Sequence, residues 1–241
     1  MTDGPDFALW VYLSRTPLFW LTVTLMAYVL ADRISLATRR NPFANPVLHA
    51  IWMIGGLLLL TGTPYRTYFD GAQFVHFLLG PATVALALPL YENRAVVRRA
   101  LVPMAVALVV GALTAIISVV VIAKAVGLPS VVVISLAPKS VTAGVAMGIS
   151  DSLGGDPGLT AVSCILTGII GAVLASPILN ALGLKDRRAR GFGMGLACHG
   201  IGTARAFQVH PLNGTFAGIA MGLNAFITAA LVPLVLAWLM G

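Results

Sequence analysis

Charged residues are scarce in this chain, and their scarcity excludes a soluble globular protein. Only 10% of its 241 residues are charged, whereas 59% are hydrophobic. A soluble domain carries roughly 25% charged residues, so this chain lacks the polar side chains that would cover a water-facing surface. Six apolar runs each approach the ~20 residues that cross a bilayer: 18–29, 47–62, 71–90, 101–123, 158–182 and 213–238. The sequence therefore predicts an all-α polytopic membrane protein with about six full transmembrane helices.

Cysteine is also rare, and the sequence contains no recognisable motif for catalysis or metal binding. Cys164 and Cys198 lie in apolar sequence among small residues, which is typical of buried thiols and excludes a disulfide framework. Because no nucleophile motif or zinc-ligand spacing is present, we expect neither an enzyme nor a bound metal or cofactor. The net charge of +7 is interpreted as loop charge facing anionic lipid headgroups, not as a nucleic-acid surface.

The basic residues fall in loops, and their distribution tests two topologies. Three clusters stand out: Arg33, Arg39 and Arg40; Arg94, Arg98 and Arg99; and Lys185, Arg187, Arg188 and Arg190. If the N-terminus is outside and every run crosses once, including 129–150, six basic residues lie inside and seven outside. If 129–150 enters and returns on one side, ten lie inside and three outside. The cytoplasmic excess of Lys and Arg in membrane proteins favours the second topology.

The segment 129–150 carries an independent sign of a broken helix. Pro138 cannot donate a backbone hydrogen bond and disfavours helix in the residue before it, and Gly144 follows closely. A broken backbone at membrane depth is tolerated only where it is buried in protein or lines a wet cavity. We expect a re-entrant segment, and a proline-kinked span is the alternative.

A second segment, 193–210, repeats this pattern with Gly200 and Gly202 as its expected breaks. Residues 135–146 read SLAPKSVTAGVA, residues 195–206 read GLACHGIGTARA, and a long apolar helix with a late proline follows each. The copies, about 130–183 and 191–240, predict an inverted repeat inside a single domain of residues 1–241. Inverted repeats whose interrupted helices meet near the bilayer midplane are typical of secondary transporters.

Three basic side chains fall inside the broken segments: Lys139, His199 and Arg205. A charge at the centre of a membrane helix costs roughly 2.5–3.5 kcal/mol on insertion scales. Of the eight acidic residues, Asp151 alone lies near the end of such a segment. Cations without a counter-ion from the protein predict an anion brought from outside. Snorkelling of the two cations to the interface and a hydrogen-bonded core role for His199 are the alternatives.

Neutral hydrogen-bond donors in the same region complete the expected binding site. Ser140, Thr142, Thr203 and Asn224 can each donate to a small carboxylate, and His199 can pair with the ligand or relay a proton. The predicted substrate-binding residues are Lys139, Ser140, Thr142, His199, Thr203, Arg205 and Asn224.

Three stretches resemble the LrgB/CidB family of bacterial membrane proteins. They read SLAPKSVTAGVAMGIS at 135–150, GGDPGLTAV at 154–162 and GLACHGIGTARAF at 195–207. The resemblance extends over about residues 8–240. It implies a multi-pass protein of the bacterial inner membrane that works with a smaller holin-like partner of the LrgA/CidA type. A homo-oligomer is also expected.

The resemblance implies two functions. The family was named for modulating murein hydrolase activity and autolysis as an antiholin-like component. A plastid relative exports glycolate in exchange for glycerate, and some bacterial pairs are associated with pyruvate uptake. We therefore expect a secondary transporter of small monocarboxylates. The alternative is a non-transporting antiholin-like regulator of murein hydrolase export, which would have no need of cations in broken helices.

Overall fold

The computed structural model describes residues 16–78, 81, 84–85 and 87–240. In these ranges the chain consists of helices joined by short turns and loops. No strand occurs in these ranges. The chain divides into two compact units, Met1–Ala87 and Leu88–Gly241. The prediction of a single domain with an internal repeat stays a prediction.

The first unit contains three helices and a short 3₁₀ turn at Pro42–Ala44: α1 (Pro17–Ala37), α2 (Pro46–Thr61) and α3 (Tyr65–Phe77). Helix α1 packs against both α2 and α3. At the α1–α3 contact, buried Trp20 lies edge-on to Tyr68, with ring centroids 5.8 Å apart. A methyl group on Gly71 would come within 2.7 Å of Trp20 Cβ, so glycine permits this close approach.

The helices that follow form the second unit, which contains both predicted broken segments. They are α4 (Ala87–Glu92), α5 (Arg94–Arg99), α6 (Leu101–Ala125), α7 (Ser130–Leu136), α8 (Ala143–Ser152), α9 (Pro157–Ala181), α10 (Arg187–Val209) and α11 (Pro211–Met240). Helices α9 and α11 both begin with a proline, which suits the first helical position because its missing N–H has no partner there. Each also carries a later proline, Pro177 and Pro233.

The long helices expose apolar side chains outward, as helices in lipid do. Among the described residues, α1, α6, α9 and α11 are long and apolar enough to span a membrane, and only 17–33% of their apolar windows is buried in the protein. In α6, a stripe from Met104 to Val120 is buried, while Val102 and Ile122 lie exposed on other faces. Soluble proteins rarely expose such surfaces. The prediction of an all-α polytopic membrane protein is confirmed.

The apolar runs correspond closely to these helices, with one exception. Four runs lie within α1, α6, α9 and α11, and the run at 47–62 forms the shorter α2. The run at 71–90 is not one described helix. Helix α3 ends at Phe77, α4 begins at Ala87, and part of the run between them lies outside the described residues.

Helix α10 reverses direction at His199 and is therefore a helical hairpin. A methyl group on Gly202 would lie 2.7 Å from the Met194 carbonyl oxygen, although eight residues of continuous helix span about 12 Å. The two arms also meet α11 in opposite order: Gly191 with Asn213 and Gly195 with Ala217 on the first arm, then Thr203 with Met221 and Phe207 with Gly214 on the second. The broken segment predicted at 193–210 is confirmed.

Helices α7 and α8 form a second hairpin, whose turn is residues 137–142. The turn holds Pro138, as predicted, and is closed by a hydrogen bond from the Val141 amide to the Pro138 carbonyl at 3.2 Å. Its arms meet α9 in opposite order: Ser135 with Asp156 and Val141 with Cys164 on the way in, then Ala146 with Cys164 and Ser150 with Thr160 on the way out. The hairpin is the geometry that a re-entrant segment requires.

The two hairpins enter the second unit from opposite ends. The α7–α8 hairpin follows the end of α6, where Lys124 contacts the Leu239 carbonyl. The α10 hairpin starts at the other end, where Arg99 and Arg188 line one cavity. The basic clusters 94–99 and 185–190 thus lie at the same end, as the second topology requires. Which end is cytoplasmic stays a prediction.

Candidate functional site

Asn224 of α11 holds the tips of the two hairpins together. It lies about 20 Å along α11 from Pro211, near the middle of a helix that can cross a ~30 Å hydrocarbon core, and is 1% exposed. Its Nδ2 donates to the carbonyl of Ser140 at 3.2 Å and to that of Leu196 at 3.0 Å. The Oδ1 atom accepts from Thr228 Oγ1 at 3.1 Å. The side-chain amide of Asn224 therefore joins the turn of the α7–α8 hairpin to the first arm of the α10 hairpin.

A cavity of about 510 Å³ lies beside this junction. The first tip contributes Lys139 and Ser140 to its wall, and the second contributes Ala197 and Cys198. Helices α6 and α9 and the first arm of α10 supply the remaining walls, which are apolar apart from Thr167. No acidic residue lines the cavity among the described residues. Lys139 therefore supplies its charge.

Lys139 has no counter-ion in the part of the chain that the structure describes. The ion pairs found there are Arg40 with Asp32 and Arg188 with Asp186, and the half-buried Lys139 makes no side-chain hydrogen bond. Removing a charge from water without a partner is costly. An anion in the cavity would offset this cost.

His199 forms the reversal of α10 and is anchored to α9. Its backbone adopts φ 42° and ψ −133°, in the left-handed region that favours glycine. The ring is buried, with Nε2 2.9 Å from the Cys164 carbonyl oxygen. Because a carbonyl only accepts, Nε2 carries a hydrogen and donates. A methyl group on Gly168 would lie 2.8 Å from the ring, so that glycine makes room for it.

The remaining predicted ligands lie away from the cavity wall. Thr203 Oγ1 donates to the His199 carbonyl at 2.8 Å, and Arg205 Nη1 donates to Gln208 Oε1 at 3.3 Å, both on the second arm of α10. Thr142 lies at the N-cap of α8 without a capping side-chain bond. The structure thus brings Lys139 and Ser140 into the cavity. Substrate contacts by the other predicted residues stay predictions.

The glycines predicted as helix breaks do not break helices. Gly144, Gly200 and Gly202 all have helical backbones, and the reversal of α10 falls at His199 instead. Gly202 lets the two arms approach closely, whereas Gly144 faces open space. Small size, and not positive φ, is what the hairpin requires of Gly202.

A buried hydroxyl cluster at the base of the first hairpin is absent from the predicted site. Ser135 Oγ accepts from the Asp156 amide at 2.7 Å, and Thr160 Oγ1 donates to Ser150 Oγ at 2.8 Å. These bonds tie α7, α8 and the start of α9 together. The only signal in the sequence is a hydroxyl residue at each of three positions in apolar surroundings, which does not by itself reveal that they meet.

The chain is similar to one known protein family and to several bacterial proteins. The sequence model described as the LrgB-like family matches residues 24–238. The chain is 35% identical to YwbG of Bacillus subtilis over 219 residues, or 91% of this chain and 97% of YwbG. It is 32% identical to the Holin-like protein CidB of Staphylococcus epidermidis over 225 residues, or 93% and 97% of the two chains. The Holin-like protein CidB of Staphylococcus aureus is 32% identical over 219 residues, or 91% and 95%. No solved structure matches.

Proposed function

The chain belongs to the LrgB-like family, and from this premise we propose that it is a secondary transporter of small monocarboxylates such as glycolate, glycerate or pyruvate. It acts in the bacterial inner membrane with a holin-like partner of the LrgA/CidA type. The observation that carries the proposal is the cavity with Lys139 at the junction of two hairpins that enter from opposite ends.

The composition of the cavity favours a small organic acid with one negative charge. The ammonium group of Lys139 pairs with the carboxylate, and the nearby hydroxyls of Ser140 and Thr167 can bind hydroxyl or keto oxygens of the substrate. The apolar walls accept a short carbon skeleton. A second carboxylate would find no second cation among the described residues that line this cavity, which disfavours dicarboxylates.

The hairpin junction supports a mechanism of alternating access. Interrupted helices that meet near the midplane place a substrate site between two aqueous sides. Here Asn224 donates one hydrogen bond to each hairpin, so breaking one of them removes one link between that hairpin and α11. In this mechanism Lys139 with its bound substrate becomes accessible from one side of the membrane at a time. The substrate is released on the other side without chemical change.

The alternative function is antiholin-like regulation of murein hydrolase export. It is favoured by the name of the staphylococcal relatives, Holin-like protein CidB. The outward apolar side chains of α11, such as Phe226 at 80% and Trp238 at 74% exposure, also offer a surface for a membrane partner. This function assigns no purpose to the cavity around Lys139.

Transport by the purified chain in liposomes tests the proposal. Uptake of radiolabelled glycolate, glycerate and pyruvate is measured with and without the co-reconstituted holin-like partner. We expect saturable uptake that Lys139→Ala reduces at least tenfold, because the carboxylate loses its ion pair. Lys139→Arg keeps the charge and should retain part of the activity.

Lys185→Ala is the matched control, since Lys185 is exposed and lies in the loop before α10. It should transport like the unmodified chain. Absence of uptake both with and without the holin-like partner would contradict the transport proposal. Equal uptake by Lys139→Ala and Lys185→Ala would contradict the role of Lys139.

A further inference from the structure

A second cavity, of about 420 Å³, lies at the basic end of the second unit. One wall runs from Arg99, at the end of α5, to Ala107 of α6, and the other is the start of α10, from Arg188 to Leu196. Each wall presents residues spaced three or four apart, which lie on one face of a helix. Leu196 and Gly193 also border the cavity at the hairpin tips, but Lys139 does not line this one.

The polarity of this cavity changes along its length. Arg99, Arg188 and Asp186 lie at one end, and the walls from there onward are apolar, with Phe216 of α11 completing the lining. The α10 wall advances about 12 Å from Arg188 to Leu196. The cavity therefore offers a cationic mouth and an apolar groove between two helices, of which α6 is long and apolar enough to span a membrane.

The two arginines keep hydrogen-bonding capacity for an anion. Arg99 has no ion-pair partner among the described residues. Arg188 pairs with Asp186 through Nε and Nη2, the latter at 2.6 Å, and its Nη1 is not part of that pair. Hydrogen bonds from Arg188 lower the pKa of Asp186 to about 2. That carboxylate is therefore ionised at neutral pH and competes for Arg188.

We propose that this cavity binds an anionic phospholipid, with the headgroup phosphate between Arg99 and Arg188 and an acyl chain along the apolar groove. Arginine guanidinium groups bind phosphate through several hydrogen bonds at once. Basic pockets between transmembrane helices on the cytoplasmic side suit anionic headgroups. A soluble phosphate ester would use the mouth but leave the groove empty, so the apolar walls favour a lipid. The inference does not depend on transport.

Native mass spectrometry of the delipidated full chain, titrated with phosphatidylglycerol or phosphatidylcholine of the same acyl chains, tests this site. We expect phosphatidylglycerol to bind more tightly. Replacing Arg99 and Arg188 together by Gln should weaken it roughly 25-fold, since each basic residue near a lipid surface contributes about fivefold. The Arg187→Gln variant is the control, because Arg187 precedes Arg188 and does not line the cavity.

Two further variants test the groove and the competing carboxylate separately. Ala107→Phe fills the groove without changing charge and should weaken the binding of phosphatidylglycerol, whereas Ala105→Phe, on α6 outside the lining, should not. Asp186→Asn keeps an N-cap residue of similar quality and removes the competing charge, so it should tighten binding. Equal binding of both lipids, or unchanged binding in Ala107→Phe, would overturn the proposal. Displacement of the lipid by free glycerol phosphate would assign the site to a soluble ester instead.

Discussion

At the scale of the residue, His199 combines a strained backbone with a buried hydrogen bond. Its φ of 42° with ψ of −133° is a conformation in which non-glycine residues store about 1–3 kcal/mol. The bond from its ring to the Cys164 carbonyl offsets that strain. The hydrogen bond of the imidazole thus offsets the backbone strain of a turn that glycine would form more easily.

Two substitutions of His199 separate the backbone strain from the hydrogen bond of the ring. Both His199→Gly and His199→Ala remove the ring, but only glycine relaxes at positive φ, so His199→Gly should be the more stable by about 1–2 kcal/mol. In an ordinary helix glycine is instead the less stable by about 1 kcal/mol. Thermal unfolding in detergent measures the order. Ala204→Gly, on the regular second arm, is the control and should lower the Tm. A lower Tm for His199→Gly than for His199→Ala would contradict the strained turn.

The sequence revealed Lys139 but not the residue that makes the reversal. Lys139 beside Pro138 stands out because charge and proline are both rare in apolar sequence. The sequence predicts His199 as a ligand and Gly200 and Gly202 as the breaks, whereas the positive φ lies at His199. A histidine in that conformation depends on a carbonyl 35 residues away, and such a tertiary contact leaves no local pattern.

At the scale of the element, both hairpins are linked to one long helix, α11. Asn224 of α11 donates to a carbonyl of each hairpin. A buried carbonyl that loses its donor costs about 1–3 kcal/mol, while interhelical hydrogen bonds in membranes average about 0.6 kcal/mol. The junction is thus strong enough to set a preferred state and weak enough to open.

Replacement of Asn224 measures this junction. Asn224→Ala removes both donations and should lower stability by about 1–3 kcal/mol, with a lower Tm and faster hydrogen exchange at residues 137–142. Thr228→Val removes only the bond to Asn224 Oδ1 and should have a smaller effect. If both variants unfold at the same temperature, Asn224 does not hold the tips.

The element pattern was largely predictable because apolar length and proline position are local properties. Residues 129–150 and 193–210 were both predicted as broken, and both are hairpins. The hydroxyl cluster of Ser135, Ser150 and Thr160 could not be predicted in the same way. It exists only because α7, α8 and α9 meet, and serine and threonine are common in membrane helices for several reasons.

At the scale of the whole molecule, the hairpins reconcile the chain with the distribution of its basic loops. The 94–99 and 185–190 clusters lie at the same end, which follows only if 129–150 returns to its own side. The charge count therefore anticipated a three-dimensional feature. The absolute orientation depends on the positive-inside rule.

Cysteine labelling in intact cells tests this orientation. Ser152→Cys, at the end of α8, should react with a membrane-impermeant maleimide added outside, whereas Lys185→Cys should react only after permeabilisation. Both positions are exposed. The native cysteines are buried, so the unmodified chain is the control and should label little. The reverse pattern would contradict the proposed orientation.

The opposed hairpins also have an electrical consequence. In the proposed transporter, water reaches the tip of each hairpin from its own side, so the barrier between the two aqueous phases narrows to the region of the tips, and most of the membrane potential falls across that short distance. Moving one uncompensated charge through it requires about 2.3 kcal/mol per 100 mV. Import of a lone carboxylate into a cell that is negative inside would oppose this field. Exchange of one monocarboxylate for another, or entry together with a proton, moves no net charge and is independent of the potential.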